Sequence, residues 1–324
     1  PMLEGAVKVL SRQRKHLRSA AEVEAYYRGI YFWHTYYAGK KDFKLTPGSL
    51  PLFSNTMALF LKDAPYTALR YALGYALRRL LRKVVPIAGK RWLHHQGLLR
   101  GWMPAVGQVA PGDFQRLTPF SSSFGYDRGG PIDRYYIENF LQKEAATIRG
   151  RVLEIGDNSY TLQYGGKAIR QSDVLHIDAT NLHATFIGDL SDAPHIPDNT
   201  FDCLVLTQTL HLIYDFKRAL HTCYRILKPG GTLLLTVPGI TPIDRGEWKE
   251  TWYWTFTDRA LHRLLAETFP VGSIEISSFG NVRVATAYLY GLGLPEIDQE
   301  SLNYYDPQFQ VINAVKAVKH APLA

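Results

Sequence analysis

The chain has 324 residues, of which 46% are hydrophobic and 20% are charged, so it is long and apolar enough to bury a large core. This composition excludes a disordered chain, and no uninterrupted apolar run has the length expected of a membrane-spanning helix. The net charge of +8 is uneven, because residues 1–120 carry 19 basic and 6 acidic residues whereas residues 121–324 carry 18 and 23.

Residues 1–120 are predicted to form a basic, mainly helical segment. Its clearest helical pattern lies at 65–85, where leucines recur every three or four positions and arginines supply the polar face. Such a helix either packs its apolar stripe on protein or lies in a membrane interface, and both interpretations stay open. The charged first 30 residues do not resemble a signal peptide, so we expect a cytoplasmic protein, with peripheral membrane contact through 65–85 as an addition.

A second domain is predicted at 121–324, after a Pro-, Gly- and Ser-rich linker at 104–125. It opens with a helix from Tyr135 to about Ile148. A short apolar strand then runs into a turn at Gly156, where the lack of a Cβ allows the backbone to approach a bound group. Alternating strands and helices follow. Strands are predicted at 173–178, 184–190, 202–206 and 232–238, with a closing antiparallel pair at 274–279 and 311–318.

Four short segments of this domain share their order and spacing with a known family. They are Val152-Leu-Glu-Ile-Gly156, Gly188-Asp-Leu190, Phe201-Asp202 and Arg225-Ile-Leu-Lys-Pro-Gly-Gly231. Together they resemble the class I S-adenosylmethionine-dependent methyltransferases, over roughly residues 130–320. The resemblance implies an α/β fold: a Rossmann-like, seven-stranded sheet with helices on both faces. It also implies S-adenosyl-L-methionine as cofactor and S-adenosyl-L-homocysteine as product.

The stretch from Phe124 to Tyr136 narrows this resemblance. It is similar to bacterial methyltransferase-domain proteins associated with surface-polysaccharide synthesis. One departure from the family pattern lies in the turn after the first strand, which retains only the first of the usual glycines and continues Asp157-Asn-Ser-Tyr160. Asn158 tolerates a left-handed backbone, which would keep the shape of the turn, whereas we expect Ser159 and Tyr160 to crowd the site. A scaffold that binds no cofactor is therefore an alternative.

The resemblance also assigns residues to the cofactor. An arginine fork suits the methionyl carboxylate, an acid after the second strand binds the ribose hydroxyls, and Asp189 with the Leu190 amide binds adenine. Two acids, Asp178 and Asp173, remain candidates for the ribose contact, depending on the strand register. The cofactor-binding candidates are Tyr126, Arg128, Arg134, Glu154, Gly156, Asp157, Asp173, Asp178, Asp189, Leu190, Thr207 and Gln208.

On the acceptor side, His211 and Tyr214 are candidates for taking a proton, His211 because its side chain ordinarily titrates near neutral pH. Aromatic side chains of the loop 239–257, Trp248, Trp252 and Tyr253, are candidates for contacting the acceptor. We expect transfer to an oxygen, or less readily a nitrogen, of a small molecule or glycan, without a metal. RNA methylation through the basic segment is an alternative that the missing Asn/Asp-Pro-Pro-Tyr/Phe motif disfavours, so nucleic acid is not the expected partner.

Overall fold

A computed structural model describes residues 17, 19, 21–23, 25–27, 29, 73, 85–99 and 101–320. The chain divides into two compact units, 1–110 and 111–324. In the first unit, residues 21–23, 25–27 and 29 are helical, and helix α1 spans Ile87–His95. The predicted basic helix at 65–85 lies outside the described residues except at Leu73 and Val85, and the division at 120/121 stays a prediction.

The second unit contains one seven-stranded sheet in the order β3-β2-β1-β4-β5-β7-β6. Its strands are β1 Gly150–Ile155, β2 Ile169–His176, β3 Phe186–Ile187, β4 Phe201–Thr207, β5 Leu227–Pro238, β6 Ile274–Phe279 and β7 Ile312–Val318. β1 to β5 are parallel, whereas β7 runs antiparallel to both β5 and β6. The seven-stranded Rossmann-like sheet that the resemblance implies is therefore confirmed, including the antiparallel closing pair.

Helices cover both faces of this sheet because each central strand is apolar on both sides, as expected of parallel strands. The helices of the unit are α2 Ile132–Lys143, α3 Phe216–Ile226, α4 Asp258–Ala266, α5 Val282–Leu289 and α6 Gln299–Asn303. One buried cluster unites α3 and α4 with the sheet, and a second unites α2, α5 and α6 with the opposite face. Among the described residues, no helix is long and apolar enough to cross a membrane.

Helix α2 begins three residues earlier than the predicted Tyr135. Pro131 precedes it in an extended conformation, with φ −74° and ψ 145°, and Ile132 takes the first helical position. A proline has no N–H to lose at a helix start, which explains the earlier beginning. This shift matters for the site, because it places Asp133 and Arg134 in the first turn of α2.

Candidate functional site

The predicted cofactor residues cluster because the parallel strands end at one edge of the sheet. Gly156 follows β1, Asp178 follows β2, Asp189 follows β3 and Gln208 follows β4. The order of the strands reverses between β1 and β4, and open α/β sheets bind ligands at such a switch point. The fold therefore brings these four positions to the edge where a ligand is expected.

The turn after β1 keeps an open backbone. Gly156 has φ +91°, and a Cβ added there would meet nothing within 4 Å. Its amide donates to the Leu175 carbonyl at 3.0 Å, and its own carbonyl accepts from Asn181 Nδ2 at 2.6 Å. These two bonds fix the turn to the end of β2. A left-handed glycine with free space beside it fits close approach by a ligand.

Glu154 and Asn158 shape the rest of this turn. The buried Glu154 carboxylate accepts from the backbone amides of Tyr160 at 3.4 Å and Thr161 at 2.7 Å, so it caps the short helical turn Thr161–Gly165. Burial raises the pKa of Glu154 to about 7. Asn158 does not adopt the left-handed backbone that it tolerates: its φ is not positive, its amide donates to Ser172 Oγ at 3.1 Å, and its carbonyl accepts from Leu162 N.

Arg134 connects α2 to this turn. Its guanidinium donates to the Tyr160 hydroxyl at 3.1 Å and to the Tyr126 hydroxyl at 3.2 Å. An arginine has five N–H donors, so others remain for a carboxylate. The Tyr160 ring stacks on Tyr164, with centroids 6.0 Å apart, and its hydroxyl accepts from Arg134. That Tyr160 crowds the site stays a prediction.

Arg128 and Asp173 are both held in ion pairs away from these groups. Arg128 forms a bidentate pair with Glu296, at 2.9 Å and 2.5 Å, so the structure does not bring it to Arg134. Asp173 lies inside β2 opposite Leu153, is 2% exposed, and accepts from Arg151 Nε at 2.7 Å. An acid in mid-strand cannot reach the carboxyl edge, which corrects the register and leaves Asp178 as the ribose candidate.

The remaining acids lie in exposed turns at the edge. Asp178 accepts from Thr180 N at 2.8 Å, and the hydrogen bonds from Thr180 lower its pKa, so this carboxylate stays ionised. Asp189 accepts from Ser191 N at 2.8 Å, and Asp157 accepts from Ser159 N at 2.8 Å. Leu190 is buried in the core next to Asp189.

The end of β4 has an unusual backbone. Thr207 is the last residue of β4, and Gln208 has φ +47°, which is uncommon outside glycine. Two bonds to Thr236 on β5 hold Gln208, from its amide to the carbonyl at 2.9 Å and from Nε2 to Oγ1 at 3.4 Å. Such strained residues concentrate at functional sites.

His211 lies beneath this edge in an apolar environment. Its side chain is 1% exposed, its ring lies edge-on to Trp252 at 4.6 Å, and Nδ1 has no hydrogen-bond partner among the described residues. Burial lowers the pKa of His211 to about 3. The expectation that it titrates near neutral pH is therefore wrong, and His211 is neutral under ordinary conditions.

The aromatic residues of loop 239–257 divide into two groups. Trp252 and Trp254 turn inward, and their Nε1 atoms are buried with no partner among the described residues. Trp248 and Tyr253 are 43% and 45% exposed, and Tyr214 is 70% exposed, with its ring 5.3 Å from Tyr253. Among the candidate acceptor residues, Trp252 therefore forms an inner wall, and Trp248, Tyr253 and Tyr214 form an outer rim.

Three residues near this wall were not singled out in the sequence. Phe124 stacks on Trp252, with ring centroids 5.7 Å apart and planes at 14°, and its φ is +55°. Tyr288 on α5 lies 6.4 Å from Phe124 and faces the buried carboxylate of Asp133. Asp133 could have been singled out from the sequence because it directly precedes Arg134. Its burial, however, depends on α5, which is distant in sequence.

Comparison with known proteins agrees with this architecture. Residues 142–235 match a family model described as a methyltransferase domain. The ubiquinone/menaquinone biosynthesis C-methyltransferase UbiE of Enterobacter sp. (strain 638) is 32% identical over 99 residues, 30% of this chain and 37% of that protein. UbiE from Escherichia coli K12 is 31% identical over the same length. The chain thus spans little more than a third of these relatives.

Two solved structures are also similar. An S-adenosylmethionine-dependent methyltransferase from Mesorhizobium loti is 17% identical, covers 58% of this chain and all of its own, and has a TM-score of 0.43. One from Archaeoglobus fulgidus is 14% identical, covers 57% and 94%, and has a TM-score of 0.40. The segment that matches the methyltransferase domain model contains β1 to β4 and most of β5 of the seven-stranded sheet.

Proposed function

We propose that this chain transfers a methyl group from S-adenosylmethionine to a hydroxyl-bearing small molecule. The observation that carries the proposal is the position of Arg134, which two tyrosines orient beside the open turn at Gly156. The acids of the neighbouring strand ends, Asp178 and Asp189, lie at the same edge. The domain match supports the choice of methyl donor.

The residues present fit this donor. Arg134 has N–H groups left for the methionyl carboxylate, and Gly156 leaves space for the chain that follows it. The two oxygens of Asp178 suit vicinal ribose hydroxyls, and Asp189 suits the amino group of adenine, since a carboxylate only accepts. When bound, the donor supplies a methyl group already activated by the positive sulfur. The protein then has to orient the acceptor and exclude water.

The acceptor follows from the inner wall and from the relatives. Phe124 and Trp252 stack on each other, and such an aromatic pair is suited to contact with a planar ring. The relatives are named C-methyltransferases of ubiquinone and menaquinone biosynthesis, so the methylated atom is either the hydroxyl oxygen or a ring carbon that the hydroxyl activates. The glycan acceptor, the peripheral membrane contact and the disfavoured role of nucleic acid stay predictions.

The test is a calorimetric titration with S-adenosylhomocysteine of the parent protein and of Arg134→Gln, Asp178→Ala and Asp189→Ala. We expect the parent to bind and each variant to bind about tenfold or more weakly, because each loses a charged hydrogen bond of about 1.5–3 kcal/mol. Arg128→Gln is the matched control, and its affinity should stay within about twofold of the parent's.

Two outcomes would contradict the proposal. A folded parent that binds no S-adenosylhomocysteine would favour the scaffold alternative. Equal losses in Arg134→Gln and Arg128→Gln would show that net charge, and not the oriented guanidinium, governs binding.

A further inference from the structure

Oδ1 of Asp133 is one of five buried side-chain polar atoms that lack a hydrogen-bond partner among the described residues, and it is the one that belongs to a carboxyl group. This oxygen is buried and has no hydrogen-bond partner among the described residues, and the whole residue is 7% exposed. A buried acceptor without a partner costs free energy, more so when it belongs to a carboxylate. Such a group persists most readily where a ligand satisfies it.

Asp133 and Arg134 are adjacent, yet they face different parts of the site. Arg134 points to Tyr160 and Tyr126 near the end of β1, where the methyl donor is proposed to bind. Asp133 faces the Tyr288 hydroxyl, which also interacts with Thr241 just after β5. Tyr288 therefore links the Asp133 carboxylate to the loop after β5, on the acceptor side.

Tyr288 connects Asp133 to the inner aromatic wall. Its ring lies 6.4 Å from Phe124, which stacks on Trp252, which in turn packs against His211. Tyr288 thus lies between a buried hydrogen-bond acceptor and the stacked pair of Phe124 and Trp252. This pairing suits a planar ring that carries an O–H group.

We propose that Asp133 Oδ1 accepts a hydrogen bond from the hydroxyl of a planar aromatic acceptor whose ring lies against Phe124 and Trp252. Tyr288 is a positioning residue, because its hydroxyl orients the carboxylate. Burial raises the pKa of Asp133, which suits it to receive that proton as the hydroxyl loses it. The inference rests on the proposed function and adds to it the group that holds the acceptor.

The test uses a matched pair of probes, 2-naphthol and 2-methoxynaphthalene, which differ in the O–H donor. Binding of each to the full chain saturated with S-adenosylhomocysteine is measured by quenching of tryptophan fluorescence. We expect the parent to prefer 2-naphthol at least about tenfold, since the ether leaves the carboxylate unpaired. In Asp133→Asn the preference should fall to about threefold or less, with an intermediate value in Tyr288→Phe.

Asp127→Asn is the control, because Asp127 is an exposed acid whose carboxylate already accepts from the Ser121 hydroxyl. It should keep the preference of the parent. Thermal unfolding separates binding from folding. If Asp133 serves a ligand, the unliganded Asp133→Asn protein should unfold at the same or a higher temperature than the parent, because the oxygen without a partner then belongs to a neutral amide, which costs less to bury than a carboxylate.

Three results would overturn the inference. An equal affinity of the parent for both probes would remove it while leaving the proposed function intact, provided that S-adenosylhomocysteine still binds. A tenfold weaker binding of S-adenosylhomocysteine by Asp133→Asn would assign the carboxylate to the methyl donor. A lower unfolding temperature of Asp133→Asn with an unchanged probe preference would assign it a structural role.

Discussion

At the scale of single residues, burial determines what His211 can do. Its ring is enclosed by apolar neighbours, with the edge of Trp252 at 4.6 Å, so the charged form is disfavoured. A neutral imidazole can still accept or donate one hydrogen bond at Nδ1. This makes His211 a wall residue of the acceptor side and a weak base.

The same burial predicts how stability depends on pH. The pKa of His211 falls from 6.5 to about 3 in the folded chain, so between these values the unfolded chain binds the proton first. The stabilising contribution is complete above about pH 6.5 and is lost as the pH falls towards 3. The loss is at most about 1.4 kcal/mol for each pH unit.

His211→Gln removes this titration. In urea unfolding at pH 6.5, 5.5 and 4.5, we expect the free energy of unfolding of the parent to fall more steeply than that of the variant, by about 1–2 kcal/mol over the range. The exposed His262 provides the control, since His262→Gln should follow the parent. Parallel curves for the parent and His211→Gln would show that the ring is accessible to protons.

At the scale of elements, Asn281 connects α5 to α6. Its Oδ1 accepts from Val284 N at 3.0 Å and caps α5, while its Nδ2 donates to the carbonyls of Ser301 and Tyr304, each at 2.7 Å. The buried Asn281 side chain therefore caps the start of α5 and hydrogen-bonds one carbonyl within α6 and one just after it. Since α5 carries Tyr288, this connection also supports the acceptor side.

Asn281→Ala should destabilise the protein by about 2–4 kcal/mol in chemical denaturation, because the cap is lost and two carbonyls lose their donor. Thr257→Ala removes only the cap of α4, a bond from Ala260 N at 3.2 Å, and should cost about 1 kcal/mol. Asn281→Asp keeps the acceptor but not the donors, so an intermediate loss is expected. Similar losses in both alanine variants would refute the connecting role.

At the scale of the whole molecule, charge is separated along the chain. Residues 1–120 carry 13 more basic than acidic residues, whereas residues 121–324 carry five more acidic than basic ones. A charge excess of this size attracts anionic surfaces at low ionic strength. We expect such an attraction to come from the first part of the chain, which carries the basic excess.

We expect the full chain to sediment with vesicles containing phosphatidylglycerol at about 50 mM salt and to release at about 500 mM. Pure phosphatidylcholine vesicles should bind little. The double variant Arg78→Glu, Arg79→Glu should bind more weakly than Arg259→Glu, Arg263→Glu, which changes the net charge equally but on the exposed side of α4. Equal weakening would mean that only total charge matters, and salt-insensitive binding would point to apolar insertion.

The sequence by itself determined the sheet of this domain and the strand ends that carry its ligand-facing residues. Strands buried on both faces are continuous apolar runs, and glycine after a strand has a local cause, so β1, β4 and β5 and the turn at Gly156 were all predictable. The resemblance to the methyltransferases assigns Asp178 and Asp189, and each lies two residues past the end of its strand. A short sequence pattern is enough to predict a feature whose physical cause lies within the same segment.

Tertiary structure alone decided which polar side chains meet. The sequence alone makes Arg128 and Arg134 equally good candidates for the cofactor carboxylate. In the fold, Arg128 pairs with Glu296, which is 168 residues away, whereas Tyr160 orients Arg134. The low pKa of His211 depends on the loop that brings Trp252 over it, and the unpaired oxygen of Asp133 depends on α5. Burial and pairing arise from segments far apart in the chain, so no local pattern encodes them.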